Sequence, residues 1–174
     1  MSVGLLLLRV VVGALFVGHG TQKLFGWFGG HGLDGTGGWL ESLGYRPGRR
    51  WAAIGGLAEA VGGLLLALGF LTPLAAAAIV GVMLNATLAV HLRNGVWNAN
   101  GGYELPLTFA TAATAIAFTG PGAYSVDALI GFAPDGILAG VGALVLGLCV
   151  GLVVHALRRV PVAVEAPSAG SVAA

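Results

Sequence analysis

Three stretches of this chain, residues 60–92, 105–126 and 136–157, contain no Asp, Glu, Lys or Arg. A backbone that crosses hydrocarbon must satisfy its own N–H and C=O groups, so stretches of this length and character fold as helices in a bilayer. The whole chain carries only eight basic and seven acidic residues in 174, and its mean hydropathy is +0.92. The chain therefore reads as an all-α, polytopic transmembrane bundle with no nucleic-acid-binding character.

Proline and glycine divide it further. The first apolar segment, residues 3–24, exceeds a signal-peptide core of ~7–15 residues and is expected to be a retained span. Further spans are expected over about 51–71, 73–91 and 104–119, with an additional one within 131–159 and a disordered tail over 160–174. Thr72 and Pro73 suggest an N-cap with Pro at the first helical position, joining spans two and three in a tight hairpin. Gly120-Pro121-Gly122 ends span four, and Asp135 is placed to cap span five. Between spans one and two, Thr36 is the expected N-cap of a short interfacial helix that carries Trp39, Leu40 and Leu43 and stops at Gly44. Residues 25–30 are expected to turn the chain into a loop that lids any pocket below.

Alternating the ends of five spans puts Lys23, Arg46, Arg49, Arg50, Arg93, Arg158 and Arg159 on one side and only Arg9 on the other. This seven-to-one imbalance predicts an outside N-terminus and a cytoplasmic C-terminus. Trp27, Trp39, Trp51 and Trp97 fall on the same basic side, at span ends where amphipathic rings settle.

Ionisable groups inside a bundle are costly and are candidate functional groups. At ~1.5 Å rise per residue, Glu59 and His19 lie within about a turn of each other in depth, so they are expected to be able to pair. His91 and Glu104 reach the same side. Glu59, His19, Glu104 and His91 are thus candidate pocket or proton-handling groups, and Gln22, Lys23, Arg9 and Arg93 candidate ligand-binding or interfacial groups. Each has a plainer role open to it: Glu59 can brace a helix or lock Arg9, and Lys23 and Arg93 can anchor at the interface. Small and polar rows are expected to face inward: Arg9, Gly13, Phe16, Gly20 and Lys23; Gly55, Glu59, Gly62 and Leu66; Glu104, Thr108, Thr111 and Ala115. Gly136, Gly140, Gly147 and Gly151 form a stripe that can dock span five within the chain or make a homodimer seam. A lone Cys149 leaves no intramolecular disulfide, and no metal site or phosphate-binding loop is recognisable.

The ordered pattern Arg9, Gly13, Phe16, His19-Gly20, Gln22-Lys23-Leu24-Phe25-Gly26, Gly35-Thr36, Glu59, Gly62-Gly63, Gly69, Met83, His91, Gly102-Tyr103-Glu104-Leu105, Gly120-Pro121-Gly122, Tyr124-Ser125 and Asp127 resembles the DoxX family of small bacterial membrane proteins over residues 5–129. The resemblance implies a helical bundle in the bacterial plasma membrane, usually of four spans, so that residues 1–130 form the core and 131–159 add a fifth. It also implies membership in quinone- or thiol-linked membrane oxidoreductase systems, including ones involved in oxidative stress. The chain would then hold no cofactor of its own and offer an intramembrane pocket, with quinone as candidate ligand, to a soluble or membrane oxidoreductase partner; a homo-oligomer is also open. Whether it catalyses anything alone stays open. A small-solute carrier and a non-catalytic assembly scaffold are the alternatives.

Overall fold

The computed structural model describes residues 2–159, and the tail expected over 160–174 lies outside them. Among the described residues the chain is all-α. Helix α1 (Ser2–Phe25) leads through a short turn to α2 (Gly32–Ser42). Then come α3 (Gly48–Leu68), α4 (Thr72–Ala86), α5 (Glu104–Thr119), the single turn α6 (Val126–Leu129) and α7 (Gly136–Ala156). Helix α4 continues as a π-helical turn, Thr87–His91. Four segments are long and apolar enough to cross a membrane: Ser2–Phe25, Gly48–Leu68, Thr72–Asn94 and Gly136–Ala156. Helix α5, at 16 residues, packs against α4 and α7.

The outward faces are apolar throughout. Leu7, Val11 and Leu15 on α1, Ile54, Leu57, Val61 and Leu64 on α3, and Val145 and Leu152 on α7 are all exposed. In water such surface would drive aggregation; in lipid it is matched to its solvent. Association must then come from close packing, and glycine makes that possible. A Cβ on Gly13 would sit 2.4 Å from the Gly63 carbonyl oxygen, and one on Gly63 would sit 2.6 Å from that of Gly13, so α1 and α3 touch backbone to backbone. Helices α4 and α7 repeat the device: a Cβ on Gly147 would lie 2.7 Å from the Ala77 oxygen, and one on Gly151 2.8 Å from the Gly81 oxygen. The α7 stripe therefore docks within the chain, through Gly140, Ala143, Gly147 and Gly151, while Gly136 and Cys149 are exposed. Between these seams Val12, Phe16, Leu66, Ile79 and Ile116 form the core, with Phe16 edge-on to Phe109 at 5.4 Å.

One end of the bundle is locked by Asp127, which is fully buried. Its carboxylate accepts from the Leu71 amide (2.8 Å), the Thr72 amide (3.0 Å) and the Thr72 hydroxyl (2.8 Å), while its own amide donates to the Gly69 carbonyl (2.9 Å). Asp127 thus caps α4 from 55 residues away. This corrects the expected cap: Leu71, at φ 49°, occupies the N-cap position, and the Thr72 side chain serves the carboxylate rather than its own helix. Helix α3 stops at Leu68 rather than residue 71, because Gly69 turns left-handed (φ 62°) and the Phe70 amide bonds back to the Leu65 carbonyl. Arg9, also fully buried, donates to the Tyr124 carbonyl at 2.5 Å. Its guanidinium fills the space where a Gly69 side chain would be.

Two more expectations are corrected. Helix α2 begins at Gly32, with His31 at its N-cap and Thr36 buried inside the helix; Gly44, at φ 94°, does follow its end. On α5 the row Thr108, Thr111 and Ala115 is exposed, and the buried face is Pro106, Ala113, Ile116 and Ala117. Thr108 can face outward because its hydroxyl is satisfied one turn back, donating to the Glu104 carbonyl (2.8 Å). At α7, Asp135 does occupy the N-cap position, without a side-chain cap bond.

Replacing Asp127 with Ala should leave the first turn of α4 without its acceptors and lower stability by about 2–4 kcal/mol. SDS-titrated unfolding of the purified chain measures it; a loss below about 0.5 kcal/mol would show that the cap is not holding the hairpin.

Candidate functional site

The opposite end of the bundle is open inside. A cavity of about 480 Å³ lies among α1, α2, α3, α4, α5 and α7, well within the range of ligand sites. Its walls are mainly apolar: Phe16, Trp39, Leu40, Trp51, Met83 and Phe109 are among them. Its roof comes from α2, through Thr36, Trp39, Leu40 and Leu43. The turn after α1 does not fill the expected role of lid, because Trp27 and Phe28 are exposed and do not line the cavity.

Glu59 projects from α3 into this chamber and is 3% exposed. Its neighbours at Gly56, Gly62 and Gly63 are buried, so α3 is held close to α1 and α4 and the carboxylate sits inside the bundle. Its partner is Lys23, whose Nζ donates to Oε1. The expected partner, His19, lies one turn away and bonds elsewhere. Equal depth does not mean equal azimuth: Lys23 continues the Gly13, Phe16 and Gly20 face that packs on α3, and His19 sits at that face's edge. Lys23 is therefore an ion-pair partner rather than only an interfacial anchor. The second carboxylate oxygen, Oε2, is buried and has no hydrogen-bond partner among the described residues.

His19 lines the chamber with its Nδ1 at 3.1 Å from Gln22 Oε1. Gln22 donates its Nε2 to the Phe28 carbonyl (3.2 Å), which leaves Oε1 as acceptor, so His19 Nδ1 is the donor and Nε2 is an acceptor in the neutral ring. His91 reaches the chamber from the π-helical turn, a distortion that recurs at functional sites. Its Nδ1 donates to the Gly101 carbonyl at 2.6 Å, fixing the same tautomer.

The remaining candidates lie elsewhere. Glu104, at the start of α5, accepts from the Asn98 amide (2.9 Å) and braces the loop before that helix, without lining the chamber. Arg93 is exposed beyond the π turn. Arg9 belongs to the cluster at the other end.

Two chamber groups escaped the sequence reading. Tyr45 is buried and its hydroxyl donates to Asn85 Oδ1 at 2.6 Å. Burial pushes the Tyr45 phenol above its ordinary range, opposed by the nearby Arg158 guanidinium, which lies 5.6 Å from the ring centroid. A lone amide within a charge-free span was a signal for Asn85; nothing local singles out Tyr45, which stands between α2 and α3. Arg158 also donates to the Leu43 carbonyl (3.0 Å) and the Arg159 amide to that of Gly44 (2.8 Å). The end of α7 is thereby latched to the corner that carries Tyr45, and both arginines join Lys23 and Arg46 at the same end of the bundle.

Among known families, the DoxX model matches residues 4–92. That stretch holds His19, Lys23, Tyr45, Glu59, Asn85 and His91, whereas α5 and α7 lie outside it. No curated protein and no solved structure matches the chain.

Breaking the ion pair from one side should cost more than removing both charges. Lys23→Met should lower stability by about 2 kcal/mol or more, and adding Glu59→Gln should restore part of it, as read by SDS-titrated unfolding. Additive losses in the double variant would mean the pair is not coupled.

Proposed function

The chain belongs to the DoxX family of small membrane proteins, and from that premise we propose that it is a membrane subunit of an oxidoreductase system that holds a quinone in the chamber between its helices. One observation carries the reading: Glu59 lines a mainly apolar cavity of about 480 Å³ and keeps one carboxylate oxygen buried and unpartnered among the described residues. A lipid-soluble molecule with a small oxygen-bearing ring matches both features, since its ring and first tail carbons can lie against Phe16, Phe109 and Met83 while an oxygen meets the polar wall.

A quinone supplies two-electron chemistry coupled to protons, and a partner protein carrying a flavin or metal centre supplies the other side of the electron exchange. What this chain contributes is binding and proton handling. Glu59 is the group at the polar wall that can hold a proton, Lys23 compensates its charge when it holds none, and the aromatic walls keep water from the ring. His19, with Nδ1 bound to Gln22, offers Nε2 as a step between the chamber and the basic end.

The basic end is proposed to face the cytoplasm of a bacterial cell, with the N-terminus outside. Support comes from the latch that brings Arg158 and Arg159 to the end carrying Lys23, Arg46, Arg49, Arg50 and Arg93, which keeps the seven-to-one asymmetry.

Trp39 and Trp51 line the chamber, so their fluorescence reports occupancy. Titrating decylubiquinone into the full chain in lipid nanodiscs should give saturable quenching, and for decylubiquinol, whose hydroxyl can donate to the carboxylate, Glu59→Gln should weaken binding about tenfold or more, the loss of one hydrogen bond to a charged group. Linear, unsaturable quenching by the wild-type chain would dispose of the reading. For orientation, green fluorescent protein fused at the C-terminus should fluoresce in cells and alkaline phosphatase fused there should be inactive; the converse would invert the topology.

A further inference from the structure

Four polar side chains that share the chamber wall with Glu59 are paired within the protein. Lys23 donates to Glu59 Oε1, Tyr45 donates to Asn85 Oδ1, His19 donates through Nδ1 to Gln22, and His91 donates through Nδ1 to the Gly101 carbonyl. Each of these four side chains thus spends a donor within the protein. Against them stands Glu59 Oε2, an acceptor that is buried without a partner among the described residues. A carboxylate accepts and cannot donate. In a low-dielectric interior an unsatisfied acceptor of this kind is expensive, and the ligand that relieves it must bring a hydrogen-bond donor, which a quinol carries as an O–H.

We infer that the chamber selects the reduced, dihydroxy form of its ligand over the oxidised form, with Glu59 Oε2 as the discriminating atom. The inference rests on the quinone reading above and sharpens it to one redox state. A quinol places a hydroxyl hydrogen on Oε2. A quinone places a carbonyl oxygen there, acceptor against acceptor, and gives Oε2 no donor. The ligand's other oxygen can be met by the donors that remain, further N–H bonds of Lys23 or the Nδ2 of Asn85, and these serve either redox form. Discrimination therefore falls on Glu59 rather than on the polar wall as a whole.

Selective binding has a redox consequence that needs no chemistry in this chain. If the quinol binds tenfold more tightly than the quinone, the two-electron midpoint potential of the bound couple rises by about 30 mV relative to the free couple. The subunit would bias its ligand toward accepting electrons from the partner, simply through which form it holds.

The test compares decylubiquinol and decylubiquinone on the full chain in nanodiscs by isothermal titration calorimetry. The quinol should bind about tenfold more tightly or better, and its addition should shift the carboxylate stretching band assigned to Glu59 in the infrared difference spectrum. A quinol whose two hydroxyls are methylated should bind no better than the quinone, a comparison that needs no variant to fold. Glu59→Gln, which replaces an acceptor by a group that can also donate, should erase or reverse the preference. Equal binding of the two forms, tighter binding of the quinone, or undiminished binding of the methylated quinol would overturn the inference while leaving the quinone reading standing. Failure of every form to bind would overturn both.

Discussion

A backbone amide at the start of a membrane helix has no water to bond, and the fold turns on how the first turn of α4 solves that problem. Asp127 reaches across from α6, collecting the Leu71 and Thr72 amides and the Thr72 hydroxyl on one carboxylate. The same residue ties back to Gly69 through its amide. One side chain thereby fixes the α3–α4 turn and the chain segment that follows α5, and the Arg9 guanidinium, resting against Gly69, brings α1 into the same knot. With that end closed, the glycine seams between α1 and α3 and between α4 and α7 set the spacing of the helices. The chamber is the space those seams leave open toward the basic end.

Polar residues are consequently divided between two ends with different characters. At the Asp127 end the carboxylate is saturated by protein donors and stands beside no described cavity wall, which is the signature of a structural fastening. At the other end, Glu59 is held by one oxygen only and a cavity adjoins it. Both are buried acids in a membrane bundle. The difference in satisfaction, rather than in burial, separates the group that holds the fold from the group that can meet a ligand.

Much of this was legible beforehand. Charge-free runs and proline–glycine punctuation located the helices, and the basic residues gathered at one end as their alternation required. The inward row of α1 was also readable, because small residues repeat on it with helical period. What escaped were relationships that period and depth do not encode. Rise per residue placed His19 level with Glu59, but the choice of partner depended on azimuth and went to Lys23. Thr108 looked like part of an inward polar row, but its bond back to the Glu104 carbonyl removes the cost of facing outward without leaving a trace in the pattern. Asp127 sits 55 residues from the helix it caps, and no local rule connects the two.

The latch at the end of α7 has a corollary. The family-model match ends at residue 92, yet the chamber is walled on one side by Phe109 of α5 and by Val150 and Val154 of α7, the helix whose end clasps the corner bearing Tyr45. The matched stretch holds the ion pair, and the helices that shape the far side of the chamber lie outside it. Substitutions in α5 and α7 can recut the chamber to a bulkier or slimmer guest while Glu59 and Lys23 stay as they are.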